Sequence, residues 1–164
     1  MRDVTEQEAQ RLIAFARDRL GRQEGDGQCW TLVYNGFCAL EFHKPSSIYA
    51  WGLEGEQLCE ARPGDVFQFT NFRVDVSVDN PDGGGYDEFA ERGSPRHTAI
   101  LVSIDGNGLA TFLECNIGGS FNVQQHTFHV RTADWTNDEG RRTRVVTRGT
   151  FTVYRPQKPE AQSE

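Results

Sequence analysis

The sequence predicts an α+β domain in which N-terminal helices pack on an antiparallel sheet of about five or six strands. Apolar residues recur at helical spacing up to residue 40, and they alternate with polar residues beyond residue 60. Asp105-Gly106-Asn107-Gly108 lies between two alternating segments and is a strong hairpin signal. Helices followed by a meander of strands are typical of the α+β class.

Two amphipathic segments define the helices. The first follows a capping box, Thr5-x-x-Glu8, and its apolar residues continue to Leu20, where Gly21 is predicted to end it. The second has Asp26 as its expected N-cap and ends before His43-Lys44-Pro45. Its predicted apolar face consists of Cys29, Leu32, Val33, Phe37 and Leu40.

Six segments have the alternation of strands: 66–69, 72–78, 97–104, 109–117, 121–130 and 151–154. Residues 79–95 are rich in glycine and acidic side chains and are predicted to form a loop. The arginines of 141–148 are interpreted as a solvated strand face. The domain is therefore predicted to span 1–156, and 157–164 to be a polar C-terminal tail.

Length and composition exclude several classes of protein. The chain has 164 residues, of which 37% are apolar and 25% charged, so a single folded domain is expected rather than a disordered chain. No apolar run approaches the ~18 residues of a membrane span, and Met1-Arg2-Asp3 leads into a polar helix. We therefore expect no membrane partner and no Sec-type signal peptide, and a protein that is cytoplasmic or exported by another route.

The net charge and the cysteine spacing restrict the classes of partner and cofactor that we expect. Lys and Arg number 17 against 24 Asp and Glu, a net charge of −7 that argues against nucleic-acid binding. The four cysteines form no Cys-x-x-Cys pair, so a zinc site is not predicted and the thiols are expected to be reduced. We expect a monomer without a metal or another cofactor.

Cys29 is the one cysteine in a setting that favours chemistry. It would occupy the first turn of the second helix, where the helix dipole and unpaired N–H groups stabilise a thiolate. The alternative is a small hydrophobic residue on a core face, which is how we interpret Cys38, Cys59 and Cys115.

Hairpin geometry brings three polar residues onto one face of the sheet. If Gly106-Asn107 is a two-residue turn, then His97 lies opposite Asn116, and Glu114 lies diagonal to it on the same face. A histidine oriented by a third polar group is the arrangement of cysteine acyl transfer. An ordinary solvated sheet face is the alternative.

Several motifs resemble CHAP-type amidases and peptidases of the NlpC/P60 papain-like group. They are Gly27-Gln28-Cys29-Trp30, the Arg62-Pro63-Gly64-Asp65 turn with its strand, His97-Thr98-Ala99-Ile100-Leu101-Val102, Glu114-Cys115-Asn116 and Val153-Tyr154-Arg155-Pro156. The resemblance spans about residues 20–156, and the motifs occur in the family's order.

The resemblance implies a papain-like fold and a cysteine-dependent amide hydrolase. Cys29 would be the nucleophile and His97 the base, with Glu114 or Asn116 orienting the imidazole. The Cys29 N–H and Gln28 would bind the oxyanion, and Trp30 would contact substrate.

The implied substrate is a peptidoglycan stem peptide or its amide link to muramic acid. The alternatives are an effector-type protease or deamidase acting on proteins, and a non-catalytic papain-like binding module.

The acidic segment 71–96 directly precedes His97, so we expect it to lie above the candidate site. Three interpretations stay open at this point. The segment could select a cationic group of the substrate, or it could be a solvated acidic loop. It could also bind calcium through side-chain oxygens, the candidates being Asp75, Ser77, Asp79 and Asp82.

Overall fold

Two α-helices and an antiparallel main sheet make up the computed structural model, which describes residues 1–52 and 55–162. Helix α1 is Glu6–Arg17, helix α2 is Cys29–Leu40, and a 3₁₀ turn covers Leu58–Glu60. The strands are β1 (Arg2–Asp3), β2 (Gly55–Glu56), β3 (Val66–Asp79), β4 (Gly85–Ile104), β5 (Leu109–Glu114), β6 (Gln124–His129), β7 (Ala133–Thr136), β8 (Arg142–Tyr154) and β9 (Gln157–Lys158). The predicted α+β class is confirmed.

The main sheet has seven strands in the described residues, against the five or six predicted. Its order is β2-β8-β3-β4-β5-β6, with β7 added on β8, and every pair is antiparallel. Strands β1 and β9 pair separately.

Helix α1 begins as its capping box predicts. The Thr5 hydroxyl accepts the Glu8 N–H at 3.2 Å, and the Glu8 carboxylate accepts the Thr5 N–H at 2.8 Å. The helix ends at Arg17 rather than at Gly21. Leu20 instead forms a bridge with Val123, so tertiary pairing ends the helix before the apolar pattern does.

Helix α2 begins at Cys29, and its N-cap is Gln28 rather than the predicted Asp26. The Asp26 carboxylate accepts the Gln28 N–H at 3.0 Å. Asp26 therefore orders the turn before the helix, and Cys29 becomes the first helical residue.

The sheet separates two apolar clusters. One lies under the helices and includes Leu12, Phe37, Trp51, Ile100 and Leu113. The other lines the opposite face and is rich in phenylalanine, with Phe67, Phe69, Phe72, Phe112 and Phe128. The middle of the sheet is therefore buried on both faces.

Residues 79–95 contain the turn of a long hairpin and the first half of its strand β4, so the predicted loop is wrong beyond residue 84. Strands β3 and β4 pair from Val66↔Ile100 to Asp79↔Gly85. On the outer face, arginines pair with some of the acidic side chains: Arg148 and Arg73 contact Asp75, and Arg144 contacts Asp79 at 2.8 Å. A strand that exposes one charged face resembles a loop in composition, which explains the error.

A bulge interrupts this hairpin beside the candidate site. Thr70 pairs with Arg96 and Phe72 with Arg92, so that Asn71 alone stands opposite the three residues 93–95. Asn71 has φ 47° and Gly93 has φ 91°. The bulge reverses the inward–outward alternation of both strands.

The β4–β5 hairpin reaches the predicted register by a different turn. Asp105 N–H binds the Leu109 carbonyl at 3.0 Å, so the turn has three residues rather than two. A second bulge, between Leu101 and Ser103, compensates for the extra residue. Ile100 consequently pairs with Leu113, as the two-residue turn also predicts.

The C-terminal tail was predicted to begin at residue 157, but the folded part of the chain continues beyond that residue. Gln157 and Lys158 pair with Asp3 and Arg2, and the Gln157 side chain is buried and donates to the Asp3 carboxylate at 2.6 Å. These two residues close the fold against the N-terminus.

Candidate active site

The thiol of Cys29 lies at the N-terminus of α2, where it meets strand β4. It is half-buried, and the neighbouring His97 ring and the N–H groups of Thr98 and Trp30 stabilise its thiolate. Burial disfavours the thiolate, but the hydrogen bond and charge of His97 outweigh burial and lower the pKa of Cys29 below its ordinary value.

His97 is buried and held between Cys29 and Glu114. Its Nε2 lies 2.8 Å from Oε1 of Glu114, which leaves Nδ1 for the thiol. Burial disfavours the imidazolium, but the hydrogen bonds to Cys29 and Glu114 raise the pKa of His97 to about 9. A lowered thiol pKa beside a raised imidazole pKa favours a thiolate–imidazolium pair at neutral pH.

Glu114 anchors the far side of the imidazole. Its side chain is 0% exposed, and it accepts hydrogen bonds from Arg92 at 2.8 and 2.7 Å, from His97 at 2.8 Å and from Nδ1 of His126 at 2.9 Å. Burial alone would raise the pKa of this carboxyl, but the hydrogen bonds from His126, His97 and Arg92 hold it well below its usual range. The alternative of an ordinary solvated sheet face therefore does not hold at Glu114.

Asn116 does not contact the imidazole. It has φ 60°, and its Nδ2 donates to Oε1 of Gln28 at 3.1 Å, just before the helix. The sequence left Glu114 and Asn116 as alternatives for the group that orients His97. The geometry places Glu114 on His97 and Asn116 on Gln28.

Trp30 and Gln68 frame one side of the thiol. The Trp30 indole stacks on Tyr34 at 4.7 Å and donates to the Ile48 carbonyl at 2.7 Å, so its ring is fixed. Gln68 is buried; its Oε1 accepts from the Thr98 hydroxyl at 2.8 Å and its Nε2 donates to the His97 carbonyl at 3.2 Å. Gln68 thereby fixes the segment of β4 that carries the histidine.

An open groove passes over Cys29 in two halves. One half, about 300 Å³, is lined by aromatic and aliphatic side chains that include Trp30, Ile48 and Tyr49. The other, about 460 Å³, is more polar and is lined by Ser94 and Asn116 among others. Gln28, Cys29 and Arg96 line both halves. The thiol is therefore reached from both directions, as a chain-like substrate requires.

The acidic segment contributes less negative charge to the groove than the sequence predicts. Glu91 is the member of the acidic segment that lines the groove, and it is paired with Arg73 at 2.6 Å. Arg96 lies over the Tyr49 ring at 4.4 Å, and no described carboxylate pairs with it. Selection of a cationic substrate group by this segment therefore loses its structural basis.

The structure gives no support to calcium binding by the same segment. Asp75 and Asp79 face arginines, and Ser77 donates to Asp87 at 2.7 Å. Within 1–52 and 55–162, no cluster of three His, Cys, Asp or Glu side chains is arranged to hold a metal ion.

The site also contains Arg92, His126 and Gln68, which the sequence pattern did not predict. A strand was predicted over 121–130, but its register on β5 depends on a turn with no clear signal, so His126 could not be placed against Glu114. Arg92 lay in the predicted loop. Gly93 was the one local hint of a bulge there.

The other cysteines lie outside this arrangement. Cys115 is buried under the helices, and burial raises its pKa to about 12. Cys38 and Cys59 are exposed.

Neither described helix is long and apolar enough to span a membrane.

Comparison with known proteins identifies the family. A family model described as the AIM3/BBC1 cysteine proteinase-fold domain matches residues 1–162, and the chain belongs to this family. The match supports the papain-like fold without singling out the CHAP or NlpC/P60 families. Neither curated proteins nor solved structures gave a match.

Proposed function

We propose that this AIM3/BBC1-type cysteine proteinase-fold domain hydrolyses an amide bond through a thioacyl intermediate on Cys29. The observation that carries the proposal is that Cys29 and His97 line one open groove, with His97 bonded to the buried Glu114 and lowering the pKa of Cys29. A purely structural domain has no need of a lowered thiol pKa at a solvent-accessible helix N-terminus.

The first half of the reaction forms the thioester. The Cys29 thiolate attacks the amide carbonyl, and the carbonyl electron pair moves onto oxygen to give the oxyanion. The C–N bond then breaks as the His97 imidazolium gives its proton to the leaving amine. Glu114 holds the imidazole so that Nδ1 faces the thiol during both steps.

The second half returns the enzyme. Water attacks the thioester while His97 takes its proton, and the thiolate leaves as the acid product forms. The N–H of Cys29 points out of the first turn of α2, where helical N–H groups have no acceptor, and it can bind the oxyanion. Asn116 engages Oε1 of Gln28, which leaves the Gln28 NH₂ to be the second donor.

We propose peptide amides with a carboxylate near the scissile bond as the substrate class. Arg96 lines both halves of the groove, and its guanidinium has no carboxylate partner among the described residues. A peptidoglycan stem peptide, the substrate implied by the sequence resemblance, belongs to this class, and so does an acidic peptide of protein origin.

Mass spectrometry of digests tests the proposal. Purified protein is incubated with peptidoglycan sacculi and, separately, with a protein-derived peptide library, alongside Cys29→Ala and the exposed control Cys38→Ala. We expect new amine and carboxyl termini with the wild type and with Cys38→Ala, and none with Cys29→Ala. Cleavage that survives in Cys29→Ala refutes the mechanism, and cleavage of neither substrate set by any of the proteins supports the binding-module alternative.

A further inference from the structure

Arg92 contacts Glu114 through two nearly parallel hydrogen bonds. Nε donates to Oε1 at 2.8 Å and Nη2 to Oε2 at 2.7 Å, while the guanidinium lies 4.4 Å from the centre of the Phe128 ring. Both side chains are almost completely buried, at 7% and 0% exposure. A planar fork against a carboxylate fixes the orientation of the carboxylate as well as its position.

The same Glu114 oxygen serves Arg92 and His97. Oε1 accepts from Nε of Arg92 and from Nε2 of His97, both at 2.8 Å. Any rotation of the carboxylate therefore disturbs its contact with the imidazole.

The bulge at 93–95 creates this shared contact. Residues 92 and 97 are separated by an odd number of positions, so a regular strand would place their side chains on opposite faces. Because Asn71 opposes three residues of β4, the alternation reverses, and Arg92 and His97 both face Glu114. Phe69 and Phe72 of β3 lie in one apolar cluster for the same reason.

We infer that Arg92 is a positioning residue for the proposed hydrolysis, acting on His97 through Glu114. This inference rests on the proposed function for its kinetic consequences. Arg92 lines neither half of the groove, so it does not touch substrate. Its role is to fix the carboxylate and keep it ionised, since a buried carboxylate without a cationic partner takes up a proton.

A double-mutant cycle separates this role from a purely structural one. The proteins are wild type, Arg92→Gln, Glu114→Gln and the double variant, measured for kcat and KM on a cleaved peptide. We expect Arg92→Gln to lower kcat about tenfold or more with KM little changed, and to have almost no further effect when Glu114 is already Gln. If the full effect of Arg92→Gln persists in the Glu114→Gln background, the inference is overturned.

The iodoacetamide alkylation rate of Cys29 provides a second readout that needs no substrate. Across pH 5–9, Arg92→Gln is expected to move the acidic limb of the rate profile to higher pH, and the double variant to match Glu114→Gln. The cycle can therefore succeed with alkylation even if no substrate is cleaved, which separates its failure from failure of the proposed function. A shift in melting temperature with an unchanged alkylation profile contradicts the inference.

Two further variants serve as controls, and one of them keeps the inference testable if Arg92→Gln does not fold. Arg92→Lys keeps the charge but not the fork, and it is expected to fall between wild type and Arg92→Gln in both readouts. Arg144→Gln removes an exposed arginine of β8 that pairs with Asp79 of the hairpin, and it is expected to leave both readouts unchanged. If Arg92→Gln does not fold, equality of Arg92→Lys with wild type in both readouts overturns the inference.

Discussion

Replacing Glu114 with glutamine tests the site most severely, because one carboxylate serves catalysis and folding together. The substitution keeps the side-chain shape but removes the negative charge that Arg92, His97 and His126 share. The amide has one carbonyl acceptor where the carboxylate has two oxygens, so at least one of the four hydrogen bonds is lost.

The magnitude follows from burial. Removing one partner of a buried ion pair costs about 3–5 kcal/mol, since the remaining charge is left uncompensated. Arg92 is 7% exposed and falls in this class, whereas His126, at 35%, can recover hydration. For a domain of this size, the loss corresponds to a melting temperature lower by roughly 10 °C. Turnover is expected to fall about 10²–10⁴-fold, as when a triad loses the group that orients its histidine.

The assay compares Glu114→Gln with Asp79→Asn. Asp79 makes a 2.8 Å pair with Arg144, but its side chain is 58% exposed, so the same carboxylate-to-amide change should cost below about 1 kcal/mol there. Denaturant unfolding gives the free energies, and turnover is recorded below both melting temperatures. The control should keep wild-type turnover.

Acidification adds an independent check. The Glu114 pKa is lowered in the folded protein, so its contribution to stability is present above its unfolded pKa and is lost as pH falls through the folded pKa. The stability gap between wild type and Glu114→Gln should therefore narrow on acidification below about pH 4. Equal stability and equal turnover of the two proteins at neutral pH would refute the reasoning.

Three further results are expected. Asn116→Ala should reduce turnover less than Glu114→Gln, because Asn116 contacts Gln28 and not the imidazole; parallel kcat measurements check this, and an equal loss contradicts it. Arg96→Ala should raise KM for a carboxylate-bearing peptide but not for its amide analogue, and an equal KM change for both peptides excludes a carboxylate contact. Turnover should fall as pH rises through about 9, because the raised His97 pKa keeps the proton donor charged up to that point; a pH–rate profile that falls near 6.5 instead contradicts the assigned pKa.

The parts of the fold that local sequence determines were the parts that sequence analysis could predict. The Thr5–Glu8 box starts α1, and the period of two places His97 and Glu114 on one face. The predicted register holds although the hairpin turn has three residues rather than two, because a bulge in β4 compensates for the extra residue. Period and register thus sufficed to bring histidine and glutamate together.

Burial and bulges lay beyond the sequence because they depend on distant strands. Alternation assigns a residue to a face, but the burial of Glu114 depends on side chains from other strands, such as Arg92 and His126. The acidic strand 85–91 resembled a loop because its pairing partner is fixed only by the hairpin register, which brings Arg73 of β3 to Glu91. Arg92 faces inward only because three residues oppose Asn71.

The rate at which iodoacetamide labels each cysteine of the native protein tests the central claim most directly. Peptide mass spectrometry at pH 6.5 gives the rates for Cys29 and for the exposed Cys38 and Cys59 in one sample. Because His97 and the helix N-terminus favour the thiolate, Cys29 should react well before both exposed thiols although it is half-buried, and His97→Ala should abolish that lead. If Cys38 and Cys59 react first, or if His97→Ala leaves the order unchanged, Cys29 is not an activated nucleophile.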